Sequence, residues 1–247
     1  MSDTLLQIIR QKETILVLSL DVTNKQQFFT ILKECAPYIC ALKLHFELYP
    51  FLKGNTLKKL IEYSKKYNFI IIEDRKFADI GNTQYLQATE FIKKGISYFT
   101  SHLFTGKEAL RAFPEQANIF LISDMSCKNA FFSDSIDLRT IFHEKSKDYY
   151  NTIPQIIGFV SQYDINKDNN GIILRPGIKL QSNNYGDTMG QQYKNPKITP
   201  NVCWVVGRDI YQSDNPKDIA KQYQNIFKKN KNIWLKQSNF SARTSIL

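Results

Sequence analysis

The sequence predicts an α/β protein, a (β/α)8 TIM barrel with parallel strands in a single domain over residues 1–247. Three observations lead there. Eight short runs rich in β-branched and aromatic residues recur along the chain, most of them followed by a stretch with helical periodicity. The runs are almost continuously apolar, as parallel strands are when helices cover them, instead of alternating apolar with polar. The chain length of 247 residues also suits eight strand–helix units, which take about 250 residues and about as large a core as one domain supports.

Taken in order, the strand runs and their helical successors are as follows. ILVLSLDV (15–22) precedes NKQQFFTILKECAPY, and ICALKLH (39–45) precedes TLKKLIEYSKKYN. FIIIEDRKF (69–77) precedes IGNTQYLQATEFIKKG, and SYFTSHLF (97–104) precedes GKEALRAF. NIFLISDM (118–125) precedes DLRTIFHEKSKDYY; then come IIGFVSQ (156–162), GIILRPG (171–177), VCWVVGRDI (202–210) and a final amphipathic helix. Two connections break the pattern. YDINKDNN, after the sixth run, is too short for a helix, and 178–201 is long, polar and rich in Asn and Gln. Long loops in compact domains are often functional, and barrels bind phosphate at the loops after strands seven and eight.

Composition narrows the class. At 43% hydrophobic with 10 Gly, 8 Pro and 4 Cys, the chain is neither disordered, collagen-like nor a disulfide scaffold. Cys35, Cys40, Cys127 and Cys203 form no CxxC pair and have no His at zinc-ligand spacing, so they read as buried thiols in a reducing compartment. Charges at Asp3, Arg10, Lys12 and Glu13 interrupt any signal-peptide stretch, and no apolar run is long enough to span a membrane. The expectation is a cytoplasmic enzyme. The net charge of +10 raises nucleic-acid binding, but half of it lies between residues 217 and 236, where Lys217, Lys221, Lys228, Lys229, Lys231 and Lys236 face one acid, Asp218. With Ile219, Tyr223, Ile226 and Phe227 at helical spacing, this is the solvated face of an amphipathic helix, and no RNA- or DNA-binding signature accompanies it.

Polar residues crowd the strand ends, where a barrel keeps its chemistry. Asp21 ends the first, Lys43 and His45 the second; Asp74, Lys76 and Asp79 surround the end of the third; Ser126 follows the fifth and Arg208 ends the eighth. A side-chain period of two puts Asp74 and Lys76 on one face and Glu73 and Arg75 on the other. Surface salt bridges would explain the third-strand group taken alone. Lys43 at the matching end of the neighbouring strand shifts the balance, because two lysines and two acids converging on a barrel mouth cost desolvation energy and are seldom kept for stability alone. Taken alone, Ser126 is more often a helix N-cap and Tyr193 a half-buried loop aromatic, and Arg208 could merely pair with a surface acid.

The blocks LSLDV, CALKLH, IIEDRKFADIGNT, SDMSCK, GFVSQ, RPGI, GDTMGQQY and VVGRDIY, in that order from about Leu5 to Phe227, resemble the orotidine 5′-monophosphate decarboxylase family, in its monofunctional eukaryotic-type branch. The resemblance implies cofactor-free decarboxylation of orotidine 5′-monophosphate to uridine 5′-monophosphate, the last step of de novo pyrimidine synthesis. It implies no metal, no nucleic acid and no membrane, and a homodimer. By matched position, Lys43, Asp74, Lys76 and Asp79 are the catalytic array. Lys76 protonates the C6 carbanion, Asp74 lies near the substrate carboxylate and Lys43 pairs with the acids and contacts ribose. Asp79 and Thr83 reach the site across the dimer interface. Asp21 and, more weakly, His45 meet the ribose; Ser126 reads the pyrimidine and Pro176 lines its pocket; Gln191, Tyr193 and Arg208 grip the phosphate.

The chemistry suits the residues. A poorly delocalised carbanion calls for charge placed where it develops, more than for a nucleophile. The chain departs from the family in 84–106, which lacks the usual Gly-rich stretch, and in RPG and SHLFTG; the first bears on the shape of the dimer interface. Gly81, Gly177, Gly190 and Gly207 fall in matched blocks. His102 and His143 match no role, and the tail SNFSARTSIL ends in a poor peroxisomal signal. Two rival expectations are a metal-assisted sugar-phosphate decarboxylase or aldolase on the same barrel, and an idle barrel binding RNA through its basic helix.

Overall fold

A computed structural model describes residues 2–131, 135–165, 171–181, 187–188 and 190–236. The C-terminal tail, most of the connection after the sixth strand and part of the long 178–201 loop lie outside the described residues. Eight strands, β1 (Leu16–Ser19), β2 (Ala41–Leu44), β3 (Ile70–Phe77), β4 (Tyr98–His102), β5 (Asn118–Ile122), β6 (Ile156–Val160), β7 (Ile172–Arg175) and β8 (Val202–Val206), pair in sequence order. All pairs are parallel, and β8 closes on β1 with Trp204 beside Leu16. The closed barrel is the predicted one.

The helices are α1 (Ser2–Lys12), α2 (Lys25–Cys35), α3 (Gly54–Tyr67), α4 (Gly81–Ile92), α5 (Lys107–Arg111), α6 (Ile136–Thr152), α7 (Arg208–Tyr211) and α8 (Pro216–Lys236). Local chemistry sets several of their ends. Asn24 caps α2 by accepting from the Gln27 amide at 2.9 Å, Ser135 caps α6 by accepting from the Leu138 amide at 3.4 Å, and Asn68 stops α3 in the left-handed region at φ +51°. On α8 the buried side is Ala220, Tyr223, Phe227 and Trp234, with Trp234 Nε1 donating to the Val202 carbonyl at 3.0 Å. Lys217, Lys221, Lys228 and Lys229 point to solvent, and Lys228 and Lys231 pair with Glu13. The solvated-face reading of this helix holds.

Two expectations need correction, and one helix was not anticipated. The run 202–210 is not one strand: β8 ends at Val206, Gly207 turns the chain, and Arg208 begins α7. The N-terminus forms α1, which apolar periodicity in Leu5, Leu6, Ile8 and Ile9 could have revealed; all four are buried. Lys12, at its end, donates to the carbonyls of Ala36 and Tyr67 at 2.8 and 2.6 Å, just ahead of β2 and β3, so α1 lies at the end of the barrel opposite the strand C-termini. Cys127 is exposed, unlike the other three cysteines, because the chain has already left β5 there.

Candidate active site

At the C-terminal mouth of the barrel, one cavity is lined by Asp21, Lys43, His45, Asp74, Lys76, Ser126, Pro176, Gln191, Tyr193 and Arg208. Every predicted site residue is there except Asp79 and Thr83. Asp79 is exposed, with its carboxylate accepting from the Ile80 amide at 2.7 Å, and Thr83 sits half-buried on α4. Within one chain, three members of the four-charge array converge, and the fourth, Asp79, does not line the cavity.

Asp74 is the hub. One carboxylate oxygen, Oδ2, takes the ammonium of Lys43 in an ion pair, with Lys76 Nζ at 3.2 Å and His45 Nε2 at 3.4 Å. The other, Oδ1, accepts from Thr100 Oγ1 at 2.7 Å. Burial alone would raise the Asp74 pKa, but Lys43, Lys76 and His45 outweigh it and hold the carboxyl well below its usual range. His45 goes the other way. Burial, then the Lys43 charge, lowers its pKa and favours the neutral ring, which can donate or accept a hydrogen bond.

Lys76 reaches this array through an irregular backbone. Register with β4 shifts between Glu73 and Phe77, and Lys76 is left-handed at φ +55°, costly for a side chain of that kind. Its amide donates to Thr100 Oγ1 at 3.2 Å, the same hydroxyl that holds Asp74. Thr100 thus secures both members of the pair from the next strand. Beneath them, Glu73 is fully buried, accepts from the Phe46 amide at 3.2 Å, and has its pKa raised to about 8 by burial and by Glu47.

The far end of the cavity is built for an anion. Arg208 opens α7 from below, and Tyr193 and Gln191 approach from the 190–194 segment, which bridges Gln191 to Cys127 and Lys194 to Ile178. Gln191 Nε2 donates to the Gln192 carbonyl at 3.1 Å, and the Gln192 amide donates to the Ser126 carbonyl at 2.8 Å, tying this segment to the loop after β5. Gly177 permits the approach. It sits at φ +72°, and a Cβ there would lie 2.2 Å from the Gln192 carbonyl oxygen.

Sequence reasoning did not single out Thr100, Ser19 or Asp187. Ser19 donates to Asp21 Oδ2 at 3.3 Å, and Asp187 pairs with Arg208. A polar residue facing inward from an apolar strand is the signal that could have marked Thr100 and Ser19; nothing local marks Asp187. Among the described residues no group of three or more His, Cys, Asp or Glu is placed to hold a metal ion.

Known proteins resemble this chain over nearly its whole length. The profile of the orotidine 5′-phosphate decarboxylase / HUMPS family matches residues 14–223. Orotidine 5′-phosphate decarboxylase of Rhizomucor pusillus is 32% identical over 238 residues, 89% of this chain and 87% of that protein. The Candida tropicalis protein of the same name is 32% identical over 239 residues, again 89% and 87%. Among solved structures, orotidine 5′-phosphate decarboxylase from Pyrococcus horikoshii OT3 superposes with a TM-score of 0.64 at 25% identity, covering 86% of this chain and 99% of that one. The Methanocaldococcus jannaschii enzyme, complexed with the inhibitor BMP, shares the fold at a TM-score of 0.65 and 22% identity, covering 86% and 97%.

Proposed function

The chain belongs to the orotidine 5′-phosphate decarboxylase / HUMPS family, and from that premise we propose which of its residues carry the reaction. It is a carboxy-lyase that converts orotidine 5′-monophosphate to uridine 5′-monophosphate and CO2 in pyrimidine biosynthesis. The observation that carries the assignment is the Lys43–Asp74–Lys76 array, built on the buried Asp74 at the barrel mouth.

Departure of CO2 breaks the bond between C6 and the carboxylate and leaves its electron pair on C6. Lys76 delivers a proton from Nζ to that carbon and regains one from solvent. Asp74, kept anionic by Lys43 and Lys76, sets a negative charge near the substrate carboxylate and holds the Lys76 ammonium in place, so charge is arranged before the barrier is reached. Asp21 and His45 take the ribose hydroxyls. In support, Asp21 Oδ1 is buried at the cavity without a hydrogen-bond partner among the described residues, and burial and the Lys43 charge favour the neutral form of His45. Ser126 and Pro176 flank the pyrimidine; Gln191, Tyr193 and Arg208 take the phosphate, where a guanidinium fork suits a dianion.

A second copy of the chain completes the site with its Asp79 and Thr83. What supports this is the exposed apolar surface around them: Ile80 is 69% exposed, Leu86 56%, Phe104 58%, and Tyr85 is exposed as well. A cytoplasmic setting fits four free cysteines, and among the described residues no helix is long and apolar enough to cross a membrane.

The test follows the loss of orotidine 5′-monophosphate absorbance with purified protein and with Lys76→Ala. Positioned acids and preorganised charges are each worth roughly 10²–10⁴ in rate, so the variant should lose about a thousandfold or more in kcat. Absence of turnover by the unmodified protein, or full activity in the variant, would overturn the assignment.

A further inference from the structure

The proposed phosphate seat already holds an anion. The Asp187 carboxylate forms an ion pair with the Arg208 guanidinium, accepts from Tyr193 Oη at 3.2 Å through Oδ2, and accepts from the Gln191 backbone amide at 2.9 Å through Oδ1. Arg208 also lies over the Tyr193 ring, 5.6 Å from its centroid. One short side chain thereby engages all three residues assigned to the phosphate, Gln191 through its backbone, and its charge sits on the guanidinium that would otherwise meet a phosphate oxygen. We propose that Asp187 is a specificity-determining residue: an internal carboxylate that occupies the seat of the substrate's phosphodianion and must leave when phosphate enters.

The inference rests on the reading that Gln191, Tyr193 and Arg208 bind phosphate. A carboxylate carries one negative charge and a phosphate ester about −1.5 to −2 at neutral pH, so the two cannot share one guanidinium without repulsion. The dianion wins the exchange by its greater charge and additional acceptor oxygens; a ligand without it leaves Asp187 seated. Because the internal anion is tethered three residues from Gly190 and six from Tyr193, it competes at high effective concentration. Apparent affinity for phosphate is reduced by the fraction of molecules in which the seat is taken. Asp187 also closes a local turn, its amide donating to the Gln191 carbonyl at 2.9 Å and its carbonyl accepting from the Gly190 amide at 3.0 Å. These backbone bonds persist when only the side-chain charge is removed.

The test compares inhibition of decarboxylation by uridine 5′-monophosphate and by uridine in four proteins: unmodified, Asp187→Asn, Arg208→Ala and the double variant. Asp187→Asn keeps an acceptor oxygen for the Gln191 amide and places an NH2, which can donate to Tyr193 Oη, at the other position, but loses the charge. It should bind uridine 5′-monophosphate about fivefold or more tightly, lower KM for substrate in proportion, and leave uridine unchanged. In the Arg208→Ala background the same substitution should gain nothing, since the contested group is gone. Unchanged or weakened nucleotide affinity in Asp187→Asn, with Arg208→Ala still impaired, overturns the proposal and makes Asp187 a loop-shaping residue only. If Arg208→Ala binds nucleotide as well as the unmodified protein, the phosphate assignment itself fails, which is a distinct result. Asp187→Ser, which also removes the charge, gives the same answer should the Asn variant not fold.

Discussion

A single hydroxyl joins the two residues on which the proposed chemistry depends. Thr100 Oγ1 donates to Asp74 and accepts from the Lys76 amide. Hydrogen bonds to charged groups contribute about 1.5–3 kcal/mol, and 1.36 kcal/mol is tenfold in rate. Thr100→Val should lower kcat about tenfold with little change in KM, and Thr100→Ser should recover most of it; steady-state kinetics decides. Glu73, one position before Asp74, makes a different prediction. It is fully buried, and its pKa rises from 4.5 in an open chain to about 8 in the folded one. The folded state thus holds a proton that the unfolded state has released between those values, and stability falls as pH rises through that window. Glu73→Gln removes the penalty: its Tm should match that of the unmodified protein near pH 4.5 and exceed it by about 2 °C or more at pH 8.

Among the elements, β3 and the 190–194 segment decide the site. Alternation along β3 places Asp74 and Lys76 on one face, and they do meet, although the strand bulges there and Lys76 takes a left-handed backbone. That irregularity aims Nζ at Asp74 Oδ2, 3.2 Å away. The 190–194 segment depends on Gly177, whose missing Cβ lets the Gln192 carbonyl come close. Gly177→Ala forces the two apart and strains φ, displacing Gln191 and Tyr193 with it. The expected outcome is a folded protein whose KM for the phosphorylated substrate rises about tenfold while binding of uridine is unaffected, measured by inhibition and by circular dichroism. Retention of the original KM would show that the segment tolerates a side chain there.

At the scale of the molecule, the cavity collects residues from the ends of seven strands, and Asp79, just ahead of α4, and Thr83, on α4, do not line it. Gln84, one turn into α4, donates to the Asp79 carbonyl and lies 3.3 Å from Ser101 Oγ, which fixes the outward course of that turn. Sharing of Asp79 between subunits predicts complementation. Lys76→Ala and Asp79→Ala should each be inactive alone, and mixtures that exchange subunits should regain activity, approaching one intact site per heterodimer. Lack of recovery after demonstrated exchange would place Asp79 outside its partner's site. Gly158 shows how little freedom the barrel leaves elsewhere: a Cβ there would lie 2.0 Å from the Ile172 carbonyl oxygen of the neighbouring strand.

The barrel was legible in the chain because its signals are local: continuous apolar strands and helical periodicity act within a few residues. The polar strand ends were legible for the same reason, and the order of matched blocks supplied the phosphate residues that single positions could not. Element ends were less so. Residues 202–210 read as one strand because Arg208, Asp209 and Ile210 differ from a polar strand end only in the turn that Gly207 makes. The N-terminal helix was hidden by the charges that flank its short apolar face. What only the tertiary structure decided are relations across the barrel: Asp74 shared by Lys43, Lys76, His45 and Thr100, the left-handed Lys76, Asp79 left out of the cavity, and Asp187 seated on Arg208. Each depends on atoms brought together by closure of the sheet, from segments with no sequence relation to one another, and electrostatics acts on the resulting distance and burial.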